Sequence, residues 1–413
     1  MNTGSRSVNR DAGLTTAYHR GMPGRLSRSL RVGLFPFLAA HALFPAMWLL
    51  SVWRRPPTTG DWHHLKTVAD HFVAGDWSRL YAVGEQALNP NYFWRYPPFA
   101  LYLVAPLAWL PEMWAYSFLV GVEIVALAAS LWLLRRLEPF REMRAEWFLA
   151  IVLSAPMLST IVTGQSSALI MLCIVGAASL WTRGKVTQAC ALLGLLAIKP
   201  NWGIVFGLLA IVRREWKGAT VMAGVAALLC ALSLPLGFQL WKDFLGISVG
   251  HSFTLAGYEP QKLITLRSFL EGTLGKGDLT LTLWAVAASA LVVVAVLAWR
   301  APGSPLRYLG VGVLLVVSAN PYAFFYDALA LAIPATVWWA ERESWSRKPW
   351  LIVGALIALI WCSEQWLYSW GVLAGIAGVQ WRPPVSLVGL AASIWLVLAA
   401  REAMGRRLES AAG

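Results

Sequence analysis

The sequence predicts an all-α polytopic membrane protein, and three observations support this fold class. Of its 413 residues, 58% are hydrophobic and 13% are charged, whereas soluble domains carry about 25% charged residues. Apolar runs recur from Arg31 to the C-terminus, and one helical crossing needs about 20 apolar residues. The 24 Trp residues fit the aromatic belts of membrane interfaces. We expect a bundle of about ten to twelve transmembrane or re-entrant helices.

The positions of the basic residues predict the topology. The net charge is +13, and its basic residues cluster in short connectors such as Arg135–Arg136 and Arg213–Arg214. Such clusters are typical of cytoplasmic loops, so the charge indicates topology and no nucleic-acid partner is expected. With both termini cytoplasmic, residues 32–53 cross outward and residues 54–112 form a long first outer loop.

The same rule places the remaining elements. Residues 241–280 form a second outer loop, a candidate cover for a site. The further apolar segments are residues 114–134, 147–162, 167–182, 186–198, 202–212, 219–240, 281–299, 308–320, 327–340, 350–368 and 385–400. We expect a single membrane domain, residues 32–400, between a disordered cytoplasmic tail, residues 1–31, and a second tail, residues 401–413.

Some of these segments are too short to cross a bilayer. Two full crossings do not fit between Arg183 and Arg213, because each needs about 20 residues. The stretch from Tyr96 to Pro111 is also short and is interrupted by proline. Broken helices survive in membranes where they line a wet cavity or are buried in protein. The sequence therefore predicts a cavity that opens toward the outer face.

An acidic, His-rich stretch, GDWHHLKTVADHFVAGDW, directly follows the first span. It predicts a helix over residues 61–75 that lies on the membrane, with an apolar face of Leu65, Val68, Phe72 and Val73 toward lipid. Asp61 has two interpretations, a helix N-cap or a general base at the outer surface. His64 is a candidate substrate-binding residue.

Two cations are candidates for binding an anionic group. Arg95 lies in NPNYFWRYPPF, and arginine binds phosphate bidentately; Tyr96 beside it is a candidate substrate-binding residue. An interfacial anchor with a Pro-rich turn explains this stretch equally well. Lys199 lies between two apolar half-segments in AIKPNW, where an ionisable group indicates a functional site or a side chain that snorkels to the interface.

Four further polar residues lie in or interrupt apolar segments. Gln165, in a GQSS turn, offers donors and an acceptor. Tyr322 and Asp327 follow a helix break in SANPYAFFYD. A carboxylate in this apolar setting needs a partner, and Lys199 and Arg95 are the candidates for Asp327. Glu123 is interpreted as a structural hydrogen-bonding residue.

Signatures of soluble enzymes are missing from the sequence. It contains no P-loop, no GxGxxG motif and no HExxH motif. It also lacks an adjacent acidic pair suited to a metal-bound nucleotide sugar, and its four Cys show no metal-binding spacing. We therefore expect no metal, no cofactor and no nucleotide-sugar donor.

The order of short motifs resembles glycosyltransferase family 87 over roughly residues 35–330. The motifs are Gly60-Asp61, Gly75-Asp76-Trp77, Leu80-Tyr81, Tyr96-Pro97-Pro98, Pro106 with Leu110-Pro111, Gly164-Gln165-Ser166, Ile198-Lys199-Pro200 and Arg213-Arg214. The late helix break departs from the family, because Asn320-Pro321-Tyr322 stands where mycobacterial members often carry Trp and His.

The resemblance implies a fold and an activity. It implies a GT-C-like bundle in a bacterial inner membrane, with an extracytoplasmic site at which Asp61 is the catalytic base. Its donor would be a polyprenyl-phosphate sugar, with mannose favoured, and its acceptor a lipid-linked molecule or glycan of the cell envelope. Gln165 and Lys199 match the GQ and KP motifs. The chemistry predicts inversion, with Lys199 or Arg95 at the donor phosphate.

Two other functions remain open from the sequence. Broken helices and charges near the midplane also suit a secondary transporter or a flippase for lipid-linked sugars. The absence of an inverted repeat between the chain halves favours the enzyme. A non-catalytic membrane subunit is the third alternative, and the oligomeric state is not determined.

Overall fold

A computed structural model describes residues 61–81, 94–137, 145–251, 263–360 and 387–412. The predicted first span, residues 32–53, lies outside these ranges. The described residues form helices, with one isolated antiparallel bridge between Leu263 and Phe324. The protein is an all-α polytopic membrane protein, as the composition predicts.

Within the predicted first outer loop, helix α1, Asp61–Val73, is followed by a broken segment. This segment consists of α2, Ala100–Val104, and a 3-10 helix, Ala105–Trp109, which contains Pro106 in its first turn. The prediction that Leu65 and Val68 face lipid is wrong. Both are buried in a cluster with Leu101 and Leu107, because α1 packs on the broken segment. Val73, by contrast, is exposed.

The central helices follow in chain order. They are α3, Glu112–Arg136; α4, Ala145–Val152; α5, Ala155–Thr163; α6, Ser167–Thr182; α7, Val186–Gly194, extended by a 3-10 turn at Leu195–Ile198; α8, Pro200–Val212; α9, Trp216–Leu232; and α10, Phe238–Leu245. Helices α3 and α7 both pack on α6, and α9 packs on α7. The break between α7 and α8 falls at Lys199, as the sequence predicts.

The C-terminal helices complete the bundle. They are α11, Leu266–Leu274; α12, Asp278–Arg300; α13, Pro305–Ala319; a 3-10 helix, Phe325–Leu331; α14, Ala332–Ala340; α15, residues 347–360; and α16, Val388–Ala412. Helix α13 packs on α12, α14 and α16. The 3-10 helix lies deep in the bundle, because α5, α6 and α13 all contact it.

Within the described ranges, four helices are long and apolar enough to cross a membrane. They are Glu112–Arg136, Trp216–Leu236, Asp278–Arg300 and Val388–Gly405. Six shorter apolar helices, such as Pro200–Val212, accompany them. Large apolar side chains, including those of Val125, Ile204 and Val286, are exposed on these helices. A bilayer would cover these side chains.

Local sequence explains where several helices begin. The hydroxyls of Ser154, Thr265 and Ser304 accept hydrogen bonds from backbone N–H groups in the first turns of α5, α11 and α13. Such caps satisfy N–H groups that have no partner within the helix. Pro200 and Pro305 occupy first-turn positions, where the missing N–H costs nothing.

Candidate active site

The site is built from the places where helices begin or break. Asp61 is the first residue of α1, and its side chain lies outside the described part of the structure. Trp62, the next residue, is fully buried and packs against the ring of Tyr116. The start of α1 is therefore fixed against the body of the bundle.

The GQSS turn lies directly against this start. Gly164 has a φ of +66°, a left-handed conformation that glycine adopts without steric cost. A Cβ atom on Gly164 would lie 2.7 Å from the Cβ atom of Trp62. Only glycine therefore fits this contact, which places the turn beside the first turn of α1.

Two further bonds hold the same turn. The hydroxyl of Tyr96 donates to Oε1 of Gln165 at 2.7 Å. The backbone N–H of Ala168 donates to Oε2 of Glu123 at 2.8 Å, so Glu123 satisfies an amide in the first turn of α6. The structural role predicted for Glu123 is confirmed. The Tyr96 bond joins two segments that the sequence predicts as site segments.

Lys199 and Asp327 form an ion pair. Nζ of Lys199 donates to Oδ1 of Asp327 at 2.9 Å, with side chains 11% and 5% exposed. The sequence left Lys199 and Arg95 as alternative partners of Asp327, and the structure selects Lys199. Tyr96 and Glu123 also interact electrostatically with the Lys199 ammonium. The pair thus lies beside the GQSS turn and the segment that carries Tyr96.

Arg95 contacts a different part of the late helix break. Its guanidinium carbon lies 5.3 Å from the ring centroid of Tyr322, within the range of a cation–π interaction. The carbonyl of Tyr322 accepts hydrogen bonds from the side-chain amides of Asn201 and Asn320. Because Asn201 follows Lys199 closely in sequence, these bonds bring the two helix breaks together.

His64 is buried within α1. The residue is only 8% exposed. Burial, with a smaller contribution from neighbouring His63, lowers the pKa of His64 from 6.5 to about 4. His64 is therefore neutral at physiological pH and can bind a ligand only as an uncharged imidazole.

Sequence reasoning missed two charged residues that the fold adds to this region. Arg267 and Glu271, on α11, form a buried ion pair at 2.7 Å, and the guanidinium carbon of Arg267 lies 5.8 Å from the Tyr322 ring centroid. Both residues lie in the predicted second outer loop, which carries no recognisable motif. The available signal was the spacing: Arg267 and Glu271 are four positions apart, and they follow Thr265, a helix-capping residue type. This spacing predicts an ion pair on one face of a helix.

Direct contacts join most of the predicted site residues in pairs. Those whose side chains the structure describes are His64, Arg95, Tyr96, Gln165, Lys199, Tyr322 and Asp327. Among them, direct contacts join Tyr96 to Gln165, Arg95 to Tyr322, and Lys199 to Asp327. The result is an aromatic, cationic region at the junction of four interrupted segments.

Comparison with known proteins identifies a family. The model of glycosyltransferase family 87 matches residues 94–319, more than half of the chain. This range includes Arg95, Tyr96, Gln165 and Lys199, whereas Asp61, Tyr322 and Asp327 lie outside it. No curated protein and no solved structure matches the chain.

Proposed function

The chain belongs to glycosyltransferase family 87, and we propose that it transfers a sugar from a polyprenyl phosphate to a hydroxyl group of a lipid-linked or glycan acceptor. We place this reaction at the extracytoplasmic face of a bacterial inner membrane, with both termini cytoplasmic and with mannose as the first sugar to test. The family favours a glycosyltransferase over the transporter and flippase alternatives.

One observation carries the proposal. The contact between Gly164 and Trp62 joins the start of α1, where Asp61 lies, to a turn whose Gln165 binds Tyr96. Arg95 is the neighbour of Tyr96. The helix start that carries Asp61 and the segment that carries Arg95 are therefore held near one turn, which supports a site that combines a base with a phosphate-binding cation.

The proposed chemistry assigns a role to each group. Asp61 removes the proton from the acceptor hydroxyl as its oxygen attacks the anomeric carbon. The bond from that carbon to the phosphate oxygen breaks on the opposite side, so the sugar configuration inverts. Negative charge grows on the departing phosphate, where Arg95 and Lys199 stabilise it. Asp327 neutralises part of the Lys199 charge.

A transfer assay tests this function. Wild-type protein in lipid nanodiscs would receive radiolabelled polyprenyl-phosphate mannose, or its arabinose equivalent, with a membrane-lipid extract as acceptor. We expect transfer with inversion, and a rate lowered about 10²- to 10⁴-fold in Asp61→Asn. Asp70→Asn is a matched control, because Asp70 is an exposed residue of the same helix.

Two outcomes would contradict the proposal. Equal rates for wild type and Asp61→Asn would exclude Asp61 as the base and leave it a helix-start residue. If the wild-type protein transferred sugar from none of these donors, the proposal that it uses polyprenyl-phosphate sugars would be excluded.

A further inference from the structure

Helix α11 carries a buried ion pair that the chemistry above does not use. Nε of Arg267 donates to Oε1 of Glu271 at 2.7 Å, and both side chains are about 95% buried, with 5% and 6% exposed. Removing two charges from water is costly, and a buried ion pair adds little net stability.

The backbone holds this pair against the late helix break. The N–H of Ile264 donates to the carbonyl of Ala323 at 2.9 Å, and Leu263 forms a bridge with Phe324. Thr265 then caps α11. Arg267 follows Ile264 by three positions, and Ala323 directly follows Tyr322. The Ile264–Ala323 hydrogen bond therefore holds the start of α11 close to Tyr322.

Two guanidinium groups contact the ring of Tyr322. Their carbons lie 5.3 Å from its centroid for Arg95 and 5.8 Å for Arg267. Arg267 also lies 5.9 Å from the Trp284 ring. Two guanidinium groups, one from each segment, thus lie at the same aromatic ring. Phosphate is the anion that arginine binds with matching geometry.

Glu271 provides a second indication of a ligand. Its Oε1 accepts from Arg267, whereas its Oε2 is buried and has no hydrogen-bond partner among the described residues. A buried carboxylate oxygen without a donor is costly, and a sugar hydroxyl is a suitable donor. The pair therefore presents a phosphate-binding group next to a hydroxyl acceptor, the two functions that a sugar phosphate head group requires.

We propose that Arg267, oriented by Glu271, is a second anion-binding residue that acts with Arg95 at Tyr322 on the phosphate of the lipid-linked sugar. This inference rests on the proposed function, since it assigns a residue to the donor of that reaction. The second outer loop thereby supplies part of the donor site through α11.

Lipid binding tests the inference independently of transfer. Purified full-length protein in nanodiscs would be titrated with a polyprenyl phosphate and, separately, with the uncharged polyprenol of the same length. The variants are Arg267→Gln, Arg267→Lys and the double variant Arg267→Gln/Glu271→Gln. A matched control is Arg307→Gln/Glu341→Gln, which neutralises another partly buried ion pair.

We expect the double variant to bind the polyprenyl phosphate at least about tenfold more weakly and to bind the polyprenol unchanged. The Arg307/Glu341 control should stay within about twofold of wild type, and Arg267→Lys should show an intermediate loss. The double variant also separates charge loss from misfolding, because it leaves no unpaired carboxylate in the interior.

Three results would overturn the inference. They are wild-type affinity in the double variant, an equal loss for the phosphate and the polyprenol, and an equal loss in the Arg307/Glu341 control. A wild-type protein that binds the polyprenyl phosphate selectively but transfers no sugar would contradict the proposed function alone, so the two failures are distinguishable.

Discussion

Lys199 and Asp327 form an ion pair at 2.9 Å although 128 positions separate them in the chain. The second carboxylate oxygen of Asp327 accepts from the N–H of Phe324 at 3.0 Å. The ammonium of Lys199 also lies 5.0 Å from the ring centroid of Tyr326. The pair therefore fastens the break between α7 and α8 to the break that precedes the central 3-10 helix.

Removing one charge of the Lys199–Asp327 pair should destabilise the protein more than removing both charges. We expect Lys199→Met or Asp327→Asn to lower the free energy of unfolding by about 3 to 5 kcal/mol, because each leaves one buried charge without its partner. The double variant should recover most of this loss. Thermal unfolding in detergent measures the effect.

Sugar transfer by the same double variant separates two roles of Lys199. A folded double variant that transfers at the wild-type rate would exclude Lys199 from donor binding. Single variants as stable as wild type would contradict the structural role of the pair.

The Gly164 turn should tolerate no side chain. We expect Gly164→Ala to destabilise the protein by about 1 to 3 kcal/mol, because φ is positive and the new Cβ would overlap Trp62. Transfer should also fall, since the overlap displaces the start of α1. The control is Gly207→Ala, because no heavy atom lies within 4 Å of a Cβ at Gly207. Equal stability of the two variants would contradict the close contact.

The burial of His64 predicts a pH dependence of stability. The pKa of His64 is lowered to about 4 in the folded protein from 6.5, so the unfolded chain binds the proton more tightly. Its contribution to stability is therefore complete above pH 6.5 and is lost as the pH falls toward 4.

Melting temperatures measured between pH 7 and pH 4 check this dependence. We expect the melting temperature to fall less between pH 7 and pH 4 for His64→Leu than for wild type. His71→Leu is the control, because His71 is partly exposed and contacts Asp76. The same pH slope in wild type and His64→Leu would contradict the prediction.

Glu123 should stabilise the start of α6 as a hydrogen-bond acceptor. Glu123→Leu removes the acceptor of the Ala168 N–H and should cost about 1 to 3 kcal/mol. Glu123→Gln retains an acceptor oxygen and should cost less. Ser130→Ala serves as the control, because Ser130 is a buried residue of the same helix that bonds to its own backbone. The free energy of unfolding would be measured in detergent. A lower stability for Glu123→Gln than for Glu123→Leu would contradict this role.

Much of the fold is predictable from residue type and spacing alone. Apolar run lengths and basic connectors predict the membrane class, and Pro200 predicts a helix start after Lys199. The need of Asp327 for a cation is also predictable, because an unpaired carboxylate in an apolar segment is costly. These features depend on local chemistry and on the difference between lipid and water.

The structure decided what depends on contacts between distant segments. The apolar face of α1 has the same periodicity whether it meets lipid or protein, so the sequence could not show that Leu65 and Val68 are buried. It also left Lys199 and Arg95 as equal partners for Asp327, because both are cations. Arg267 lies in a loop without a motif, and the packing of α11 on the late break places it at Tyr322. Hydrophobicity and charge are properties of single residues, whereas pairing depends on which backbones the fold brings together.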